Sequence, residues 1–213
     1  MARQATARGD EQATGSAEAA ETAAKPRKLR ADAARNREKV ITAAADVFAE
    51  GGTDASLEEI ARRAGVGVGT LYRHFPTRAA LIEEVYRGGV TALCARAPEL
   101  LATLPPDEAL EEWVLGFQAY VGRKRGTATA LRAALGDEST AVFADTHEQL
   151  RQASRMLFDA AHAAGKIRGD VDPMEVMRTV SGVCSAGADA KDPAAGLRML
   201  RLVLDGLRYG AEG

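Results

Sequence analysis

Apolar positions along this chain repeat with the period of a helix. Val40, Ile41, Ala44, Val47 and Phe48 fall on one face of a segment over residues 36–50. Gly51-Gly52 stops it, since glycine tolerates the left-handed conformation that closes a helix. Ser56 then stands where an N-cap belongs, with Glu59 three residues on, the spacing of a capping box. A second helix over residues 57–64 carries Leu57, Ile60, Ala61 and Ala64 on one face. Gly65-Val66-Gly67 separates it from a third over residues 68–74. Two short helices joined by such a turn form a helix-turn-helix. The steric demands fit this layout. Ala61 is small where the helices cross, Gly65 can take φ > 0, Val66 plugs the angle, and Leu71 and Phe75 anchor the third helix from beneath.

The same period runs through the rest of the chain. A fourth helix starts at Pro76-Thr77, with Arg78 in its first turn, and is expected to end near Arg96 because Pro98 follows. Pro105-Pro106-Asp107 opens the next, over residues 108–124, with Leu110, Trp113, Val114, Phe117, Tyr120 and Val121 apolar. A short helix over 127–135 and a long one over 139–164 come next, separated by Gly136-Asp137. Asp172-Pro173 and Asp192-Pro193 each read as an N-cap followed by proline at the first helical position. The last helix bears a stripe of Leu197, Leu200, Val203, Leu204 and Leu207. The predicted fold class is all-α.

Composition narrows the function. The chain has 213 residues, 46% hydrophobic and 27% charged, enough for one or two cored domains. Its net charge of −2 gives no global sign of nucleic-acid binding, so that case rests on local clustering. Residues 1–24 lack apolar periodicity and are expected to be disordered. Lys25, Arg27, Lys28, Arg30, Arg35, Arg37 and Lys39 then face only Asp32 and Glu38. This basic stretch reads either as a solvated arm or as an arm laid on phosphates. Cys94 and Cys184 form no disulfide or zinc framework. No apolar run is long enough to cross a membrane, and the start lacks an apolar leader, so the expected compartment is the cytoplasm. His147-Glu148 lacks the second histidine of a zinc-protease motif, since Arg151 stands there. No nucleophile elbow or phosphate-binding loop occurs. The expectation is a protein without catalytic site, cofactor or metal.

The run from Ser56 to Phe75, with Gly69-Thr70-Leu71-Tyr72 and His74-Phe75, followed by Pro76-Thr77-Arg78, resembles the DNA-binding segment of TetR-family transcriptional regulators. The resemblance spans residues 35–90. It implies that Val68, Gly69 and Thr70 face base edges and that Tyr72 and His74 contact phosphates. Ser56 would bond a phosphate or cap the second helix. Arg73 would reach a base or a phosphate. Arg78, where the family usually has lysine, would contact the DNA backbone, and Arg37 joins the expected DNA contacts. Gly67 departs from the Ser or Thr usual in the family and removes a side-chain cap, at roughly a few tenths of a kcal/mol.

The resemblance further implies three segments: an N-terminal arm (1–34), a DNA-binding domain (35–82) and a bundle for ligand binding and dimerisation (83–213). Residues 124–137 resemble the C-terminal domain of an actinobacterial subfamily. A pocket for a small-molecule effector would be lined by Trp113, Phe117, Tyr120, Phe143, Met156, Phe158, Met177 and Cys184, each of which also reads as plain core. A homodimer through the last two helices, with Val176, Val180, Leu200 and Leu204 at the interface, would match a palindromic double-stranded operator. The implied function is a repressor released from that operator by its effector. The competing reading is a helical adaptor whose basic arm binds RNA or an acidic partner.

Overall fold

The computed structural model describes residues 10–188 and 194–209, with the side chains of residues 10–30, 123–126 and 185–188 left undescribed. Every element among the described residues is helical. The first helix, α1 (Asp10–Gly51), begins far upstream of residue 36. Residues 10–34, expected as an arm that is disordered in its first part, are thus part of α1. Their Ala and Glu content favours that state. Gly52, at φ 77°, closes α1, and its N–H donates to the Phe48 carbonyl at 3.1 Å.

Two short helices follow as expected, α2 (Leu57–Ala64) and α3 (Val68–His74). Thr77 caps α4 (Arg78–Thr103) by accepting from the Ala80 N–H at 3.1 Å. This helix passes through Pro98 instead of ending at Arg96. An interior proline generally costs about 3 kcal/mol. Here the continuation buries Ala97 completely and packs Leu100 and Leu101 on the core, which offsets that cost.

One helix, α5 (Pro106–Leu135), replaces the two expected over 108–124 and 127–135. Its lower end carries Leu131, fully buried, so tertiary packing holds the continuation together. A short 3-10 turn over Gly136–Glu138 leads into α6 (Ser139–Ala163). Asp172 caps α7 (Pro173–Ala188), accepting from the N–H groups of Met174 at 2.7 Å and Glu175 at 3.1 Å. The last helix is α8 (Ala195–Arg208), and the Asp192-Pro193 start lies outside the described residues.

Helix α4 packs against α1, α5 and α6 and so links two cores. The body core gathers Leu93 and Ala97 of α4, Leu110, Trp113 and Phe117 of α5, Leu157 and Phe158 of α6, and residues of α7 and α8. Trp113 sits at its centre and donates its indole N–H to the Leu93 carbonyl at 2.9 Å. The head core combines α1, α2, α3 and the first half of α4 with Leu131 of α5 and Val142 of α6. Five buried side chains from beyond residue 82, Val85, Tyr86 and Val90 of α4 with Leu131 and Val142, therefore complete the packing of the head.

Candidate nucleic-acid interface

The helix-turn-helix is positioned from α2 outward. Ser56 Oγ accepts from the N–H groups of Glu58 at 3.1 Å and Glu59 at 3.4 Å. It also donates to the Glu58 carboxylate at 2.5 Å. The Glu59 carboxylate does not complete the expected reciprocal box. It accepts from Arg62 at 2.7 and 2.8 Å and from Arg63 at 2.8 Å. Those guanidinium hydrogen bonds hold its pKa at about 2. Arg63 also reaches Glu50, at 2.9 Å, and ties α2 to the end of α1. At the other end Gly65 takes φ 66°, the left-handed conformation. Its N–H donates to the Arg62 carbonyl at 3.2 Å, and that of Val66 donates to the Ala61 carbonyl at 3.0 Å, closing a Schellman motif.

The next helix is held differently. Gly67 caps α3 with no side-chain hydrogen bond. Leu71 is fully buried and Phe75 nearly so, so both anchor α3 from beneath as expected. The opposite side carries Gly69, Tyr72 and Arg73 exposed, with Val68, Thr70 and His74 half-buried. Tyr72 leaves 44% of its surface open, a wide exposure for a large aromatic ring. A Cβ added at Gly67 or Gly69 would meet nothing within 4 Å, so no contact inside the chain requires either glycine.

Other residues expected at the interface point inward. Arg78 donates to the Thr53 carbonyl at 2.6 Å and the Ala55 carbonyl at 2.7 Å, strapping the start of α4 to the turn before α2. Arg37 pairs with Glu84 at 2.7 Å and lies over the Phe75 ring at 5.3 Å. Both brace the head. Ser56 is likewise used as a cap.

The expected effector-pocket residues scatter. Trp113, Phe117, Phe158, Met177 and Cys184 pack in the body core, Trp113 and Phe117 with their rings stacked at 6.1 Å. Phe143 borders a surface cleft of about 500 Å³ beside Arg132 and His147. Tyr120 borders another between α1, α4 and α5, of about 370 Å³. Burial pushes its phenol pKa far up and that of Cys94 up to about 11. Met156 is 47% exposed and lies outside the bundle, because Leu157 and Phe158 take the inward positions on α6. The expected dimer residues Val176, Val180, Leu200 and Leu204 are buried within the chain. The apolar residues that α8 leaves open are Leu197 and Leu202, followed by Tyr209 just past its end.

Comparison with known proteins decides the family. A TetR transcriptional regulator from Streptomyces coelicolor, SCO0520, superposes with a TM-score of 0.72 at 45% identity, covering 81% of this chain and 98% of its own. The chain belongs to the TetR family of transcriptional regulators. Residues 40–85 match the family described as bacterial regulatory proteins, tetR family. Residues 105–209 match the C-terminal domain described as transcriptional regulator SbtR-like. A TetR regulatory protein from Mycobacterium vanbaalenii superposes at TM-score 0.71 and 34% identity, over 85% of this chain and 99% of that one. The HTH-type transcriptional regulator SrpR of Pseudomonas putida is 37% identical over 86 residues, 40% of this chain. The match covers 37% and 59% of the length of the first two curated relatives. As in this family of regulators, the chain is not an enzyme. No helix among the described residues is long and apolar enough to cross a membrane.

Proposed function

We propose that the protein is a cytoplasmic, homodimeric repressor that binds a palindromic DNA operator through α3 and leaves it when a small-molecule effector binds. The outward face of α3 carries this reading. Glycines at 67 and 69 have open room for a side chain and no internal reason to lack one. A surface that must approach a major groove closely supplies that reason. Thr70, Tyr72, Arg73 and His74 beside them offer donors to bases and phosphates. Leu202 and Tyr209, 72% and 82% exposed, give the end of α8 an apolar surface that a second copy would cover by two-fold symmetry. Two copies of α3 would then enter major grooves about 34–36 Å apart, or a multiple of that spacing.

The test is selection of bound duplexes from a random pool with the full-length protein at two salt concentrations. The expected result is an enriched palindrome whose affinity falls with salt as phosphate contacts release counterions. Salt-sensitive bulk binding without enrichment would overturn the reading.

A further inference from the structure

The cleft between α1, α4 and α5 joins the two halves of the molecule. At about 370 Å³ it falls at the lower end of the range for small-molecule sites. Ile41 and Ala45 of α1 wall one side, and Val85 and Leu93 of α4 another. The room comes from small residues, Gly89 and Ala92 on α4 and Gly116 on α5. Gly116 has a specific role. A Cβ there would lie 3.0 Å from Arg96 Nη1, so the glycine lets that guanidinium rest across α5.

The charges at the cleft are uncommitted. Arg87, Arg151, Arg168 and Arg208 each hold a carboxylate of this chain. Arg96 on α4 and Asp46 on α1 both line the cleft, and neither has an ion-pair partner among the described residues. A cation, a carboxylate and apolar walls in one cleft define a complementary ligand.

We propose that this cleft binds a small zwitterionic amphiphile of the ω-amino carboxylate class. Its carboxylate pairs with Arg96, its ammonium with Asp46, and its alkyl chain lies on Val85, Ala92 and Leu93. The helix from Val85 to Arg96 spans roughly 16 Å at 1.5 Å per residue, which limits the chain length. Such a ligand ties α1 of the head to α4 and α5, and stabilises the arrangement in which both charges are within reach. As a route to regulation, the inference rests on the effector-controlled reading above. The site lies at the edge of the body core: Leu93 and Tyr120 border it, whereas Trp113, Phe117, Met177 and Cys184 do not.

Trp113 is the only tryptophan of the chain, and its indole is bonded to the carbonyl of Leu93, a wall residue. It therefore reports on the cleft. The full-length protein is titrated with 6-aminohexanoate, 8-aminooctanoate and 12-aminododecanoate, with octanoate and octylamine as one-charge controls. Trp113 fluorescence and the thermal midpoint are followed, and operator retention is measured in parallel on a selected duplex. A saturable response is expected for at least one amino acid, at least tenfold tighter than for either control. Arg96→Gln and Asp46→Asn should each weaken it at least tenfold, with the midpoint of the unliganded protein retained. Gly116→Ala should weaken it by displacing the guanidinium. Absence of any saturable response, or a response indifferent to Arg96→Gln and Asp46→Asn, overturns the proposal. A protein that selects no duplex overturns the regulator reading and leaves the cleft result standing. One that binds DNA but ignores every probe overturns the cleft alone.

Discussion

Helices α2 and α3 lie side by side and have nearly the same length, eight residues and seven, yet they are built on opposite plans. Nearly every polar group of α2 is committed inside the chain. Ser56 caps its start, Glu59 holds Arg62 and Arg63, Arg63 holds Glu50, and Gly65 closes its end. The α3 helix starts on a bare glycine and turns an aromatic ring, an arginine and the open Gly69 position outward. Only its apolar side, through Leu71, is spoken for. The contrast separates a helix that positions from a helix that is presented. Substitutions in the first should cost stability, and those on the outer face of the second should cost only binding.

The comparison breaks most violently at the one inward residue of α3. Leu71→Ala should lower unfolding free energy by about 2–5 kcal/mol, as expected for a fully buried leucine. Chemical denaturation measures this, and operator affinity should fall with the folded fraction. Tyr72→Ala should leave the denaturation midpoint in place and weaken operator binding by roughly 1–3 kcal/mol, the loss of a hydrogen bond to a charged phosphate. Unchanged affinity would show that α3 presents its other face. Ser56→Ala should do the reverse, costing about 1 kcal/mol of stability through the lost cap. Gly69→Ala should not lower the thermal midpoint, because its Cβ enters open space, and should reduce operator affinity. A drop in midpoint would mean that the glycine serves the fold after all.

The smallest effect is set by pH. Glu59 titrates at about 2 in the folded chain, against an ordinary value near 4.5, because Arg62 and Arg63 hydrogen-bond its charged form. A lowered carboxyl pKa stabilises the fold above the unfolded value, and the contribution disappears as pH falls from about 4.5 toward 2. Glu59→Gln should flatten the acid side of the thermal midpoint profile over that window. An unaltered profile would show that these exposed pairs add nothing.

The α2–α3 unit was legible in the sequence because its roles require particular residue types at fixed spacing. Glycine best suits the left-handed turn at 65, and apolar groups suit the buried positions 71 and 75. Inward use of Arg78 and Arg37 was not legible, since an arginine reads the same whether it meets a phosphate or the Thr53 carbonyl. Helix boundaries at Pro98 and between residues 124 and 127 were misplaced for a related reason. Local breakers are overridden where the continuing helix buries residues such as Ala97 and Leu131. In the body, apolar periodicity marks burial but not the depth or neighbour of each side chain. Met156 on the outside and Leu200 in the core carry the same signal. The Asp46–Arg96 cleft left no motif, because its two charges lie fifty residues apart in sequence.

The head core borrows Leu131 from α5 and Val142 from α6. That arrangement limits how the molecule can be recombined. A chimera cut after α4, giving this head the remaining helices of another regulator, would seal the head with two buried side chains shaped for a different interior. Core packing tolerates such exchanges only when volume is conserved. Viable hybrids should therefore be those whose donor bodies carry residues of matching bulk at these two positions, however well the DNA-reading segments align. Lineages that trade sensory bodies between heads would have to trade these plugs as a matched set.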